Sequence, residues 1–349
     1  MKFYVIDKLN PFLLQRIVER FYGEVHNIVD YDGGDGFFII STNQVHDDSW
    51  IPYIPYISSS NKLIYLLDDG PEGYSHILRM EYTRFYDVLD KNGVDRNRGI
   101  LSYNNSIRRG INHYEDYNLT TLYTPTFLLQ PFNEWMDMEE DVVPHYDYSY
   151  LVRNGKPHKE EVYFKIKEKN LNILLTYKEN RTFEDESLID DSKEGLLDEF
   201  QYHLKPEIYY YAKINFTVES EYTSFFGKPN WFDHMRHLSE KTYRNISYGL
   251  PFVLISQKNS LKHLQEFGFK TFDCFIDESY DSMEDDTRMD AAINAGIELL
   301  KYFDEPQMKE ILQYNKSLIY DDSRMGKIFN EYVLSPLKEY SSSLKRKRI

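Results

Sequence analysis

The feature that most constrains this chain is an alternation that runs along its length and restarts midway. Short apolar runs are followed by polar turns and then by stretches with helical spacing. Phe3-Tyr4-Val5-Ile6 precedes Leu13, Leu14, Ile17, Val18 and Phe21 at helix-like intervals. Gly36-Phe37-Phe38-Ile39-Ile40-Ser41 is a second run. Lys62-Leu63-Ile64-Tyr65-Leu66-Leu67 is a third, ending in Asp68-Asp69-Gly70-Pro71, and residues 73–89 again have helical spacing. From Tyr148-Ser149-Tyr150-Leu151-Val152 the pattern restarts, with strands expected at 171–176, 212–218 and 251–256. Helices are expected at 157–169, 188–200, 239–248 and 260–267, the last closed by Gly268 as a left-handed cap. Residues 288–338 read as mostly helical. Continuous apolar runs separated by crossover helices describe parallel sheets covered on both faces, hence an α/β fold.

A chain of 349 residues accommodates two such domains. Between residues 129 and 147, prolines, acids and aromatics lose any steady period, which marks a connection. The expected division is an N-terminal α/β domain over 1–145, a second α/β domain over 146–305, and a helical segment with a basic tail over 306–349. Two tandem domains of this kind offer a cleft at their strand ends. The net charge of −16 argues against a broad duplex-DNA footprint, since phosphate neutralisation needs clustered cations. The dense basic run Lys345-Arg346-Lys347-Arg348 reads as a solvated tail. A single cysteine, Cys274, excludes an intrachain disulfide and suits a reducing compartment. The early charge in Met1-Lys2-Phe3-Tyr4-Val5-Ile6-Asp7 and the lack of a long apolar run lead to the expectation of a soluble cytoplasmic protein without membrane contact.

The residues richest in chemistry lie in the second half. Val218-Glu219-Ser220-Glu221 is followed, after a loop, by Leu238-Ser239-Glu240-Lys241-Thr242-Tyr243-Arg244. Ser239 is a good N-cap, and a helix start offers N–H groups and a positive dipole end to an anion. Lys241 and Arg244, three apart, would share a face and could seat a diphosphate, while Glu240 could accept from ribose hydroxyls. Taken alone, the same stretch reads equally as a capped amphipathic helix with solvated charges. Arg153 and Lys156, in Val152-Arg153-Asn154-Gly155-Lys156-Pro157-His158, stand where a strand end, a glycine turn and a proline-started helix would bring them to another helix N-terminus.

Glu219-Ser220, Ser239-Glu240-Lys241, Arg244 and Gly249-Leu250-Pro251-Phe252-Val253 together resemble the donor-binding segment of the α-1,3-fucosyltransferase family over roughly residues 210–290. The family's asparagine after the glutamate is missing here, and Ser239 stands for its usual threonine. The C-terminal half is also similar to glycosyltransferases of tailed phages. The resemblance implies a GT-B-like pair of Rossmann-like domains facing a cleft. It implies a nucleoside-diphosphate sugar as donor substrate, no cofactor or metal, and a host-cell cytoplasm if phage-encoded. By it Glu240 would bind the ribose, and Lys241 and Arg153 the diphosphate. The acceptor stays open among glycan, protein and modified nucleobase.

A catalytic base would come from the facing domain, where Asp69 and Glu72 follow the third strand, with Asp68 and His76 nearby. Ile276-Asp277-Glu278-Ser279-Tyr280-Asp281 reads either as an acidic solvated loop or as an element ordering the donor site or binding a cation. Two rivals remain. Asp30-Tyr31-Asp32 has the form of a GT-A metal–diphosphate motif, which an acidic chain also produces by chance. A non-catalytic phage protein keeping the fold for binding or virion assembly is the other. Zinc-ligand spacing, a Walker A loop, a dinucleotide glycine pattern and a nucleophile elbow are all missing from the sequence.

Overall fold

The structure, a computed structural model, describes residues 2–6, 20, 24–31, 33, 36–41, 45, 48–60, 62–67, 75–103, 111–114, 119–129, 142–152, 156–175, 206–219, 222 and 238–347. By its contacts the chain forms two compact units. One comprises Met1–Pro131 together with Asp322–Ile349, and the other Phe132–Asp321.

In the first unit, strands β1 (Lys2–Val5), β2 (Glu24–Asn27), β3 (Gly36–Ser41), β4 (Ile64–Leu67), β5 (Gly99–Tyr103), β6 (Ile111–Tyr114) and β7 (Leu119–Tyr123) make one sheet. Its order is β2-β1-β3-β4-β5-β7-β6. All neighbours are parallel except β6, which runs against β7 at the edge. Phe37 to Ile40 are buried on both faces of β3, as expected for a strand covered by helices on either side. Trp50, Ile57, Phe85, Tyr86 and Leu89 pack with Tyr4, Phe38, Ile40, Ile64 and Leu66 into the core. Buried Arg98 ties the turn before β4, donating to the carbonyls of Lys62 (2.7 Å) and Ile57 (2.9 Å).

The second unit holds β8 (Tyr146–Tyr150), β9 (Ile173–Leu175), β10 (Ala212–Val218) and β11 (Phe252–Ile255), all parallel, in the order β11-β10-β8-β9. The Pro157–Glu168 helix carries the chain from β8 to β9, and the Glu240–Tyr248 helix carries it from β10 to β11. These two crossovers move in opposite directions from the middle of the sheet, so the right-handed rule sets them on opposite faces. The contacts agree. Lys165 on the first helix reaches Asp290 of the Asp285–Leu299 helix, which also packs on β10 and β11. The second helix packs against the Pro306–Ile319 helix.

The observed division differs from the expected one at both ends. The first boundary falls at 131/132 rather than 145. The segment from 306 is shared: Pro306–Ile319 packs on the Glu240–Tyr248 helix of the second unit, while the Asp322–Phe329 helix, a π turn at Asn330–Leu334 and the Ser335–Lys347 helix pack on the first unit. Arg20 pairs with Asp322 at the start of that return. Uniform helical spacing across 288–338 holds no signal of which sheet each turn will cover. The expected strands at 3–6, 36–41, 62–67, 148–152, 171–176, 212–218 and 251–256 are present within a residue or two. The expected helix at 188–200 lies outside the described residues.

Candidate functional site

The order β11-β10-β8-β9 puts a topological switch between β8 and β10, because the chain leaves their carboxyl ends toward opposite faces. Open α/β sheets bind ligands in the crevice this leaves. Glu219 directly follows β10, and every hydrogen-bonding group it has is engaged. Its N–H donates to Ile255 O at 3.1 Å, continuing the ladder to β11. Its carbonyl lies 3.1 Å from His158 Nε2, which must therefore carry the proton and donate. Its fully buried carboxylate accepts from the Ser239 N–H at 3.0 Å and, at shorter range, from the hydroxyls of Ser239 and Thr242. Glu219 thus fixes the start of the Glu240–Tyr248 helix on the end of β10.

That helix begins at Ser239, whose Oγ accepts from the Lys241 N–H at 3.3 Å. It ends at Gly249 in the left-handed region, where the Gly249 and Leu250 N–H groups return to the last carbonyls and Pro251 follows. Thr242, Tyr243, Asn245 and Ile246 are buried, with Asn245 Nδ2 donating to Thr217 Oγ1 of β10 at 2.7 Å and Tyr243 set against Phe269. The adjoining face of the sheet is itself polar, since Ser149 donates to Asn215 and Asn215 reaches Pro251 O. A sheet face of this kind fixes helix register through hydrogen bonds rather than apolar fit.

The charged side chains of the helix are half-buried and already in mutual contact. Lys241 Nζ lies 2.7 Å from Glu240 Oε1. The Arg244 guanidinium stacks over Tyr209, 4.9 Å from the ring centre, and also donates to its hydroxyl. Burial works against ionising Glu240, yet the Lys241 and Arg244 cations beside it hold its carboxyl down at about 2. Burial likewise opposes the charge on Arg244, but Tyr209 and Glu240 raise its pKa overall.

Across the switch, Lys156 is the N-cap residue of the helix that starts at Pro157, and His158 occupies its first turn. His158 stacks on Tyr222 with ring centres 5.8 Å apart. Burial pushes its pKa down to about 4, assisted by Lys159 and Lys156 and opposed by the Glu219 carbonyl, so the ring is neutral near pH 7. Tyr222 is fixed in turn by buried Arg288, which lies over its ring and reaches the carbonyls of Tyr222, Ser256 and Met283.

The structure therefore brings Lys156, Glu219, Ser239, Glu240 and Lys241 to the carboxyl ends of β8 and β10, with Arg244 further along the helix. Arg153, Asp68, Asp69 and Glu72 lie outside the described residues, as do Asp32 and the side chain of His76. Asp30 is exposed at the end of a short 3₁₀ turn. Among the described residues no group of three or more His, Cys, Asp or Glu side chains could hold a metal ion. In the acidic segment 276–281, Asp281 caps the Ser260–Glu266 helix by accepting from Leu261 and Lys262 N–H. Glu278 accepts from Phe272 N–H at 2.7 Å. Burial lifts the Glu278 carboxyl to about 7, against the pull of its hydrogen bonds from Thr271 and Phe272 and with the push of Asp273 and Asp281.

Sequence reasoning missed His158, Thr242, Tyr209, Tyr222 and Arg288 as parts of this cluster. A histidine one place after the proline of a strand–turn–helix was a usable signal for His158. Arg288 had none, since its partners Ser256 and Tyr222 lie 32 and 66 residues away.

No protein-family model matches the chain, and no curated protein matches it. Among solved structures it is similar to T4 phage BGT in complex with its UDP-glucose substrate. The identity is 11%, 99% of each chain is covered, and the TM-score is 0.43. A likeness at that level assigns no chemistry to this chain.

Proposed function

We propose that the chain is a GT-B-like glycosyltransferase that moves a sugar from a nucleoside-diphosphate sugar to a glycan, protein or modified nucleobase, using no metal or other cofactor. The observation that carries this reading is the β8/β10 switch point, flanked by the helix start that carries Glu240 and Lys241 and by the one capped at Lys156. The likeness of residues 210–290 to the α-1,3-fucosyltransferase donor segment supports the same reading. In it, Glu240 accepts from the ribose hydroxyls, and Lys241, Lys156 and Arg153 meet the diphosphate. These cations offset the charge that builds on the leaving group. Arg244, held on Tyr209, contributes its charge beside Glu240, and Glu219 and Ser239 position the helix. Asp69 and Glu72 are the proposed bases from the other unit. The work would be done in the cytoplasm of a cell, where the lone thiol stays reduced. Among the described residues no helix is long and apolar enough to cross a membrane.

Thermal unfolding with UDP, GDP, CDP and ADP, with and without Mn²⁺, tests the reading, because a ligand specific to the folded state raises apparent stability. One diphosphate should raise the midpoint by several degrees, indifferent to metal, and Lys241→Ala should abolish the shift without lowering the unliganded midpoint. An unchanged shift in that variant would overturn the assignment. A shift that depends on Mn²⁺ would favour metal-assisted binding instead.

A further inference from the structure

We infer that two copies of this chain pair through the outer face of the Ser75–Lys91 helix in the first unit. That helix follows β4 and leads back toward the start of β5, so its second half lies toward the amino ends of the strands. Arg84, Asp87, Val88 and Lys91 line a groove of about 530 Å³ there, together with Asp48 and Ile51. The four helix residues recur at three- and four-residue spacing, which sets them in one stripe. Arg84 is paired with Asp48. Asp87 and Lys91 are exposed, and neither has a partner among the described residues. Ile51 is 41% exposed, and Pro52, Pro55 and Tyr56 after it are exposed as well. Apolar groups left at the surface beside a groove gain by being covered.

Charge decides the occupant. The chain carries −16 in all, so two copies repel one another over most of their surface. The groove is neutral instead, with Arg84 and Lys91 set against Asp48 and Asp87. A strongly acidic or basic partner finds no net charge to hold it here. A second copy brings opposite charges at matching places, because in a two-fold pair residue i meets j and j meets i. With the helices antiparallel and the axis level with Leu89, Asp87 of each copy stands opposite Lys91 of the other. The two charges left over within one chain are then both paired across the contact. The groove lies away from the carboxyl ends of the strands, so this pairing does not depend on the donor site.

Sedimentation equilibrium of the full chain over about 1–100 µM tests the pairing, a range suited to a contact of modest size. The unaltered chain should pass from monomer to dimer. Asp87→Lys and Lys91→Glu each set like charges opposite one another twice, and each should weaken dimerisation by about tenfold or more. Mixed in equal amounts, the two variants should form a heterodimer at the original strength, because opposite charges then face each other again. An Asp87→Lys/Lys91→Glu double variant should recover its own dimer. Both positions are exposed, so thermal midpoints should match that of the unaltered chain. An unaltered chain that stays monomeric overturns the pairing and leaves the groove to a different molecule. A dimer indifferent to both reversals, or a mixture that fails to associate, places the contact elsewhere and overturns it as well.

Discussion

His158 and Glu278 are half-buried titratable groups whose effects on stability run in opposite directions with pH. The folded-state pKa of His158, about 4, lies below its ordinary value of 6.5. Its contribution is complete above pH 6.5 and is lost as pH falls toward 4, when the unfolded chain takes up a proton that the fold refuses. Glu278, lifted from 4.5 to about 7, does the reverse: stability is lost as pH rises from 4.5 to 7. Each amounts to roughly 2–3 kcal/mol, so between pH 4.5 and 6.5 the two nearly cancel. Glu278→Gln, which keeps the acceptor for Phe272, should raise the melting midpoint at pH 8 and leave it unchanged at pH 4. His158→Gln should flatten the acid side instead. Midpoints across pH 4–8 check both, and parallel curves for all three proteins would refute the assignment. At this scale the sequence revealed the residues that open the helix but not the supports that hold them in place. Ser239, Glu240 and Lys241 announce themselves through capping and spacing, whereas the roles of Glu219, Thr242 and His158 depend on which strand ends meet.

Among the elements, the Asp285–Leu299 helix lies so close to β10 that a Cβ on Gly296 would come within 2.3 Å of Phe216 Cε1. Alanine usually improves a helix interior by about 0.5–1 kcal/mol over glycine. Here Gly296→Ala should instead cost about 1–3 kcal/mol through overpacking, read from the urea midpoint. A stabilised variant would contradict that packing. The same contrast explains which elements could be read in advance. β3, β4 and β11 are apolar because helices cover both faces, so the sequence marks them plainly. β2, with Glu24-Val25-His26-Asn27, and β6, with Ile111-Asn112-His113-Tyr114, are edge strands. They exist because a neighbour offers unpaired backbone, and no run of apolar residues announces them. The long helical tract after 285 was visible as helix, but its breaks depend on which sheet each piece covers.

For the whole molecule, the decisive feature is that the chain crosses between units twice, near 131/132 and near 321/322. Phe329, Tyr332, Val333 and Leu337 are buried, and their segment contacts β6 and β7 of the first unit. Burying four such side chains is worth roughly 6–12 kcal/mol, which rivals the whole stability of an ordinary domain. A chain ending at Asp321 should therefore lose the calorimetric transition of the first unit while keeping that of the second. Retention of both transitions would show that the returning helices are ornamental. The second crossing also sets an order of events during synthesis. Residues 132–321 can complete their own sheet and helices as soon as they clear the ribosome. The unit begun first must wait, its β6–β7 edge lacking its cover, until residues 322–347 emerge. For that interval the earliest-made part of the chain is the part most in need of a chaperone.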